Sequence, residues 1–286
     1  PGELALLRQA LDPSAPRAVP ASLSVATPLE RAMQMVVLER EAAAHVERGE
    51  FPGASRALSQ LLLAEIASPW EPDRGALARW SEQLHAAQER YRWSRLGDWP
   101  AIDVTVQPGD HLIGIRKRVL AESPEELLLC TGLIAKANGL VNEESIQPDD
   151  VLRIPTDRAS ALVDVSARWA FYLLGGEVVA AWEVGVGKEQ GSTRPGTYTI
   201  TLKQREPMWF QAGKDPVPFG DPQNPLGTRW LEWGLDGKGT SLGFHGTSDP
   251  SGVGGRVSQG CVRMRNEDVE LLYDILPLGA EVVVQP

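Results

Sequence analysis

Cysteine is scarce in this chain: 286 residues contain two, with only four histidines and four methionines. Two thiols can close one bridge at most, and Cys130, in an apolar helical pattern, lies far from Cys261 in sequence, so no structural disulfide is expected. Four scattered histidines without an H-E-x-x-H or C-x-x-C supply no ligand set, and neither a metal nor another cofactor is expected. His45 and His85 fall on helical stretches and read as structural. Basic excess is also lacking. Lys and Arg number 28 against 38 Asp and Glu, for a net charge of −10, and no cationic cluster stands ready to neutralise phosphates. That excludes a nucleic-acid partner. Long apolar runs are missing: the pieces are short, such as Trp169 to Leu174 and Val178 to Trp182, far below the roughly 20 residues of a bilayer span, so no transmembrane span is expected. The chain opens Pro-Gly rather than Met, which fits a leader already removed. Gly185 to Thr193 (G-V-G-K-E-Q-G-S-T) has no Gly-Lys-Ser/Thr ending at phosphate-loop spacing and reads as a turn.

Chemistry concentrates between Phe244 and Met264, F-H-G-T-S-D-P-S-G-V-G-G-R-V-S-Q-G-C-V-R-M. The stretch holds a histidine and a cysteine joined by a loop rich in glycine and serine. An ordinary thiol is only a few per cent thiolate at neutral pH, so a cysteine nucleophile needs a base or a positive charge beside it. His245 is the candidate base for Cys261, provided the loop folds back. Gly246 leaves its carbonyl accessible to fix the second ring nitrogen, and Gly260 lets backbone N–H groups turn toward a developing oxyanion. On spacing alone the plain alternative stands beside this one, a buried structural cysteine and a satisfied structural histidine.

The neighbouring residues carry a resemblance. H-G-T followed by S-Q-G-C-V-R-M resembles the signature of the L,D-transpeptidase (YkuD-like) catalytic domain, in which a histidine precedes an S-x-G-C element by about this distance. Gln259 stands where many members have histidine. T-R-P-G-T-Y-T-I (Thr193 to Ile200) is similar to that family's T-P-x-G-x-F-x-I strand entry, with Arg194 where proline is usual. Pro207 to Gly213 and Phe219 to Leu231 are similar to its tryptophan-bearing and N-P-L-G-x-R segments. The resemblance implies a mainly-β domain over residues 158–286 that acts on cell-wall peptidoglycan, with Cys261 as nucleophile, His245 as base, and Gly246 and Gly260 in supporting roles. Arg263 would read a stem carboxylate, or else form an internal ion pair. Ser258 and Trp209 are further substrate-binding candidates, although Ser258 and Thr247 suit loop shaping and the aromatics suit packing. Short β-branched and aromatic runs from Ala161 onward, broken by Gly and Pro, independently read as a sandwich or barrel, closing with a short helix and a strand. The Lys203 to Pro225 segment is long and Pro/Gly-rich enough to serve as a lid.

Upstream the organisation changes, and the fold class is multi-domain. Residues 1–97 read as all-α: Pro28 to Gly49 after a Thr27 cap, Gly53 to Ala67, and Arg74 to Trp93. Arg48 to Leu58 resembles the turn of a tetratricopeptide repeat, with a plain helical bundle as the alternative. Residues 98–157 read as strand, helix, helix (from about Pro124 to Asn138) and strand. Their V-x-P-G-D-x-L, K-A-N-G-L and I-x-P-x-D-x-L-x-I-P elements resemble a LysM module, which implies glycan binding or, in a degenerate copy, packing alone. The whole implies a peptidoglycan L,D-transpeptidase of the cell envelope, periplasmic or extracytoplasmic. It would form 3→3 cross-links by cysteine-dependent acyl transfer, with stem peptides and glycan strands as partners. Two alternatives remain: an L,D-carboxypeptidase acting on the same stem, and a non-catalytic wall-binding adaptor.

Overall fold

The computed structural model describes residues 28–94, 97, 99–123, 127–211 and 213–286. Two compact units emerge, one running as far as Ala159 and also taking Tyr172–Ala181, the other comprising Ser160–Phe171 and Trp182–Pro286.

In the first unit, α1 (Pro28–Glu47), α2 (Phe51–Ile66) and α3 (Arg74–Arg90) match the three helical stretches expected from periodicity, ending one to three residues earlier, with α2 also beginning two residues sooner. The Thr27 cap falls outside the described residues. Gly49, at φ 71°, ends α1 in the left-handed conformation that favours glycine, and α2 follows almost at once. Gly53 is where the two helices meet: a Cβ there would lie 2.5 Å from the His45 ring. Arg31 ties α1 to α2 through the Ala64 carbonyl (3.1 Å) and the Glu65 carboxylate (3.0 Å). Asp73 caps α3 by accepting from the Ala76 N–H at 3.0 Å.

Tyr172–Ala181 counts with the helices because their side chains satisfy its backbone. Val178 N–H donates to Ser59 Oγ (2.8 Å), Ser81 Oγ donates to the Ala181 carbonyl (2.6 Å), and Ala181 N–H donates to His85 Nε2 (3.2 Å). Burial depresses the His85 pKa, which keeps that nitrogen's lone pair available. Arg92 is buried between Asp157 (2.9 Å) and Glu177 (3.3 Å).

The same unit contains β1 (Ala101–Thr105), α4 (Leu112–Glu122), α5 (Thr131–Ala137) and β2 (Val151–Pro155). The strands pair antiparallel from Ala101↔Pro155 to Thr105↔Val151. The expected βααβ order is therefore present, with α5 shorter than the Pro124-to-Asn138 stretch, whose residues 124–126 lie outside the described set. Cys130 is the N-cap residue of α5 rather than a member of its apolar face. Asn138, in K-A-N-G-L, clamps the helix to β2. Its Oδ1 accepts from Arg153 N–H (2.8 Å), while its Nδ2 donates to the Ile134 and Arg153 carbonyls (2.8 Å each).

The second unit is mainly β. Its elements are β3 (Ala159–Asp164), β4 (Trp169–Leu174) and β5 (Glu177–Glu183), each partly its own, then β6 (Val186–Gly187), β7 (Gly196–Arg205), β8 (Arg229–Leu235), β9 (Lys238–His245), β10 (Arg256–Ser258), β11 (Val262–Arg263), α6 (Asn266–Ile275) and β12 (Glu281–Gln285). Hydrogen-bonded neighbours run β11-β9-β8-β7-β12-β3, and β6 pairs with β10 in a separate two-stranded sheet. Trp233, fully buried, lies 5.4 Å from the Tyr198 ring and meets Phe244 edge-on at 5.0 Å, so β7, β8 and β9 share one aromatic core. Two features differ from the sequence reading. β9 is a strand beyond the β-branched and aromatic runs, and Asp236-Gly237 (φ 50° and 75°) forms the tight turn that a D-G pair signals between β8 and β9. The lid candidate begins later than expected, because Lys203–Arg205 belong to β7.

Candidate functional site

His245 is the last residue of β9, and β11 begins one residue after Cys261. The two strands pair parallel, with Val262↔Phe244 and Arg263↔His245. This pairing, rather than loop flexibility, returns the cysteine to the histidine. Extended by one step, the register sets Cys261 beside Gly243. The thiol donates to the Ser241 carbonyl at 3.7 Å, and a backbone hydrogen bond with Gly243 also reaches it. Thiol and imidazole thus flank the same stretch of β9 two residues apart, roughly 6.6 Å along a strand. No hydrogen bond joins the two side chains among the described residues.

A short segment before β7 holds the Cys261 loop from the other side. β6 runs parallel to β10 (Arg256↔Val186, Ser258↔Gly187), and Gly185 exchanges hydrogen bonds of 2.8 Å in both directions with Arg263. Thr193, fully buried, bridges the two: its Oγ1 accepts from Gly187 N–H and donates to the Gly260 carbonyl, both at 2.9 Å. Gly260 has φ 135°, and a Cβ there would lie 2.5 Å from the Ser192 carbonyl oxygen, so only glycine fits. Ser258 is buried and engaged within the loop. Its Oγ accepts from Gly260 N–H (3.0 Å) and donates to the Cys261 carbonyl (2.6 Å). Both arrangements revise the expectations. Gly260 N–H is occupied within the loop, and the Ser258 hydroxyl makes both of these contacts inside it.

Around His245 the geometry is equally closed. The ring is 4% exposed, Nδ1 donates to the Gly246 carbonyl at 2.6 Å, and Trp230 lies 6.2 Å away, centroid to centroid. Desolvation depresses its pKa to about 4. Hydrogen bonds to the Gly246 and Pro225 carbonyls oppose that shift, and the Arg263 charge reinforces it. With Nδ1–H given to Gly246, the basic atom is Nε2. Cys261 keeps some exposure, yet burial raises its pKa to about 11, with Gly243 and Arg263 pulling the other way. The resting pair is therefore thiol and neutral imidazole.

Arg263 acts electrostatically on both groups. It forms no ion pair among the described residues, and its Nε is buried without a hydrogen-bond partner. Trp209 lies on the 206–228 segment, half-buried and bridged to Val217 by backbone hydrogen bonds of 2.8 and 2.9 Å.

Positioning residues that sequence reasoning missed are Asn224, Asn266 and Thr193. Asn224 is buried and staples the 206–228 segment, its Nδ2 donating to the Pro207 (2.9 Å) and Val217 (3.1 Å) carbonyls. Asn266 Oδ1 accepts from Thr228 N–H (3.2 Å) and Thr247 N–H (3.1 Å), which locks the turn after His245 against the N-P-L-G segment. A Cβ at Gly246 or Gly227 would meet that same oxygen at 2.2 or 2.3 Å. No local signal marks these three, because each acts on a segment that only packing brings near.

Among the described residues no group of three or more His, Cys, Asp or Glu side chains gathers to hold a metal, and no helix is long and apolar enough to cross a membrane. Residues 158–284 match the family profile of the L,D-transpeptidase catalytic domain, YkuD. Among curated relatives, the putative L,D-transpeptidase YqjB of Bacillus subtilis is 36% identical over 115 residues, 39% of this chain and 62% of that protein. The probable L,D-transpeptidase ErfK/SrfK of Salmonella typhimurium is 30% identical over 154 residues, 49% of this chain and 48% of that protein. This chain thus spans about half to three fifths of the length of those relatives. A crystal structure of an L,D-transpeptidase from Stackebrandtia nassauensis aligns at 20% identity over 45% of this chain and 56% of that one, with a TM-score of 0.35.

Proposed function

We propose, from a C-terminal domain of the YkuD-like L,D-transpeptidase kind, that this chain transfers acyl groups between peptidoglycan stem peptides through a thioester on Cys261. The observation that carries the proposal is the parallel pairing of β9 with β11, which gathers Cys261, His245 and Arg263 on neighbouring strands. The stem's third-residue carbonyl approaches Cys261, and the thiol turns from the Ser241 carbonyl toward Nε2, a distance that closes when substrate binds. Because burial holds the thiol's pKa up at about 11 and the imidazole's down at about 4, the pair rests neutral rather than as a preformed thiolate and imidazolium. Sulfur attack and proton transfer therefore occur together. The new S–C bond forms, the thiol proton goes to Nε2, and the Cys261 N–H holds the oxyanion. The imidazolium then returns its proton to the departing D-amino acid amine as the C–N bond breaks.

Arg263 reads the carboxylate of the departing residue, a bidentate match for its unpaired guanidinium. An acceptor amine on a second stem resolves the thioester and gives a 3→3 cross-link. Water in its place gives the carboxypeptidase reaction. In this reading the LysM-like βααβ module holds glycan strands, the helices support it, and the chain works outside the cytoplasm, where peptidoglycan stems lie. Mass spectrometry of products from the purified chain and a disaccharide tetrapeptide separates the readings. Cross-linked dimer is expected, tripeptide alone would indicate hydrolysis, and glycan binding without turnover would indicate an adaptor. Product undiminished by Cys261→Ala would reject the thiol mechanism.

A further inference from the structure

Three cations converge on one ring in the second unit. Lys203 Nζ lies 4.5 Å from the centre of the Tyr273 ring, and the Arg205 and Arg229 guanidinium carbons lie 5.5 and 5.4 Å from it. No run of basic residues marks the place in the sequence. The antiparallel pairing of β7 with β8 assembles it, with Lys203↔Leu231 and Arg205↔Arg229 in register. Two arginines therefore stand directly opposite one another on one face of the sheet, where like charges repel. This is not the catalytic face, because Trp230, the next residue of β8, points the other way and pairs with His245. Packing alone explains Lys203, whose Nζ donates to the Leu276 carbonyl (2.8 Å) just past the C-terminus of α6. It does not explain the arginines. Asp274 approaches Arg205 at 3.5 Å and Glu270 approaches Arg229 at 3.9 Å, and both carboxylates are 40% or more exposed, so solvent screens them. Arg229 Nε is buried without a hydrogen-bond partner. In a chain of net charge −10, a repulsive pair held this way calls for an anion.

We infer that this edge of the sheet binds a phosphate group, free or carried as a monoester, with the Arg205 and Arg229 guanidinium groups as its clamp and Lys203 as a third charge. The inference goes beyond the acyl-transfer reading and does not depend on it. Each guanidinium presents a planar fork of N–H donors that matches a pair of phosphate oxygens. A phosphate carries up to about two negative charges and oxygens pointing in several directions, so it can engage both forks at once. A carboxylate, with one charge and its oxygens in one plane, suits one fork. The Tyr273 ring keeps the three cations together before the anion arrives. On its entry Glu270 and Asp274 swing to solvent, the Arg229 Nε–H gains an acceptor, and the repulsion across the strands is removed.

The test titrates inorganic phosphate and glycerol phosphate into the purified chain at constant ionic strength, with acetate and chloride as controls, and reads both calorimetric heat and the thermal midpoint. The wild type should bind phosphate saturably and gain thermal stability from it, while acetate and chloride act only by screening. Arg205 is 61% exposed, so Arg205→Gln should fold. That variant should bind phosphate about tenfold or more weakly, the worth of a charge-assisted hydrogen-bond pair, and Arg205→Lys should restore part of the affinity. In phosphate-free buffer Arg205→Gln should melt no lower than the wild type, because it relieves a like-charge contact. Whichever phosphate binds more tightly names the source, and either order supports the site. No saturable binding by the wild type, an equal response to acetate, or undiminished binding by Arg205→Gln overturns the assignment. So does a lower midpoint of Arg205→Gln without phosphate, which would show that the arginine serves packing alone.

Discussion

Lowering the pH should act on this protein through His245 in a way that separates a buried neutral base from an ordinary surface histidine. An unfolded chain takes up the His245 proton near the ordinary imidazole value of 6.5, whereas burial in the folded protein holds it off until about 4. Protonation therefore favours the unfolded state. The stability that this group confers is fully present above 6.5, is lost as pH falls toward 4, and changes no further below that. The gap of 2.5 units is worth about 3 kcal/mol, a large share of the roughly 5–15 kcal/mol that holds a domain together. Two readings check it. The imidazole Cε1–H resonance that disappears in His245→Gln should stay flat from pH 8 to about 5.5 and move only as pH approaches 4. Urea unfolding followed by tryptophan fluorescence should show the wild type losing about 3 kcal/mol more than His245→Gln between pH 7.5 and 3.5. Titration of that resonance between pH 6 and 7, or parallel loss of stability in both proteins, would refute the reasoning.

Three further outcomes are expected. In a Cys130→Ala background, Cys261 should be alkylated slowly at neutral pH, the rate climbing about tenfold per pH unit toward 11 as burial of the thiol dictates; a plateau below pH 8 would mean a preformed thiolate. Gly260→Ala should cost about 1–3 kcal/mol in backbone strain alone and should displace the Ser192 carbonyl, with severe loss of turnover. Gly237→Ala, equally left-handed but with open space around it, should show strain without loss of activity. Ser258→Ala should destabilise by about 1–3 kcal/mol by orphaning the buried Gly260 N–H, seen as a lower thermal midpoint; no change would mean that the hydroxyl is dispensable.

The helical stretches and the βααβ order were legible because periodicity and caps are local, and so were the strands made of β-branched and aromatic residues. β9 was not, because K-G-T-S-L-G-F-H has too little apolar content to look like a strand; its conformation is set by pairing with β8 and β11. His245 and Cys261 were nameable from the motif. Their actual relation was not, because it depends on a parallel register between residues 244 and 262 that no spacing rule encodes. Gly246 was singled out correctly as the ring's hydrogen-bond partner because the reasoning was local to one residue. The roles of Thr193, Asn224 and Asn266 were invisible for the converse reason. Each acts across 17 to 67 residues of chain.

The central claim, that the thiol of Cys261 carries the acyl group, is tested most directly on the protein itself. Intact mass of the chain quenched in acid during turnover with a disaccharide tetrapeptide should show a mass increase equal to the donor less D-alanine. Peptide mapping should place it on the fragment containing Cys261, and hydroxylamine should remove it. An adduct that survives in Cys261→Ala, or that maps to Cys130 or to any other residue, would contradict the account.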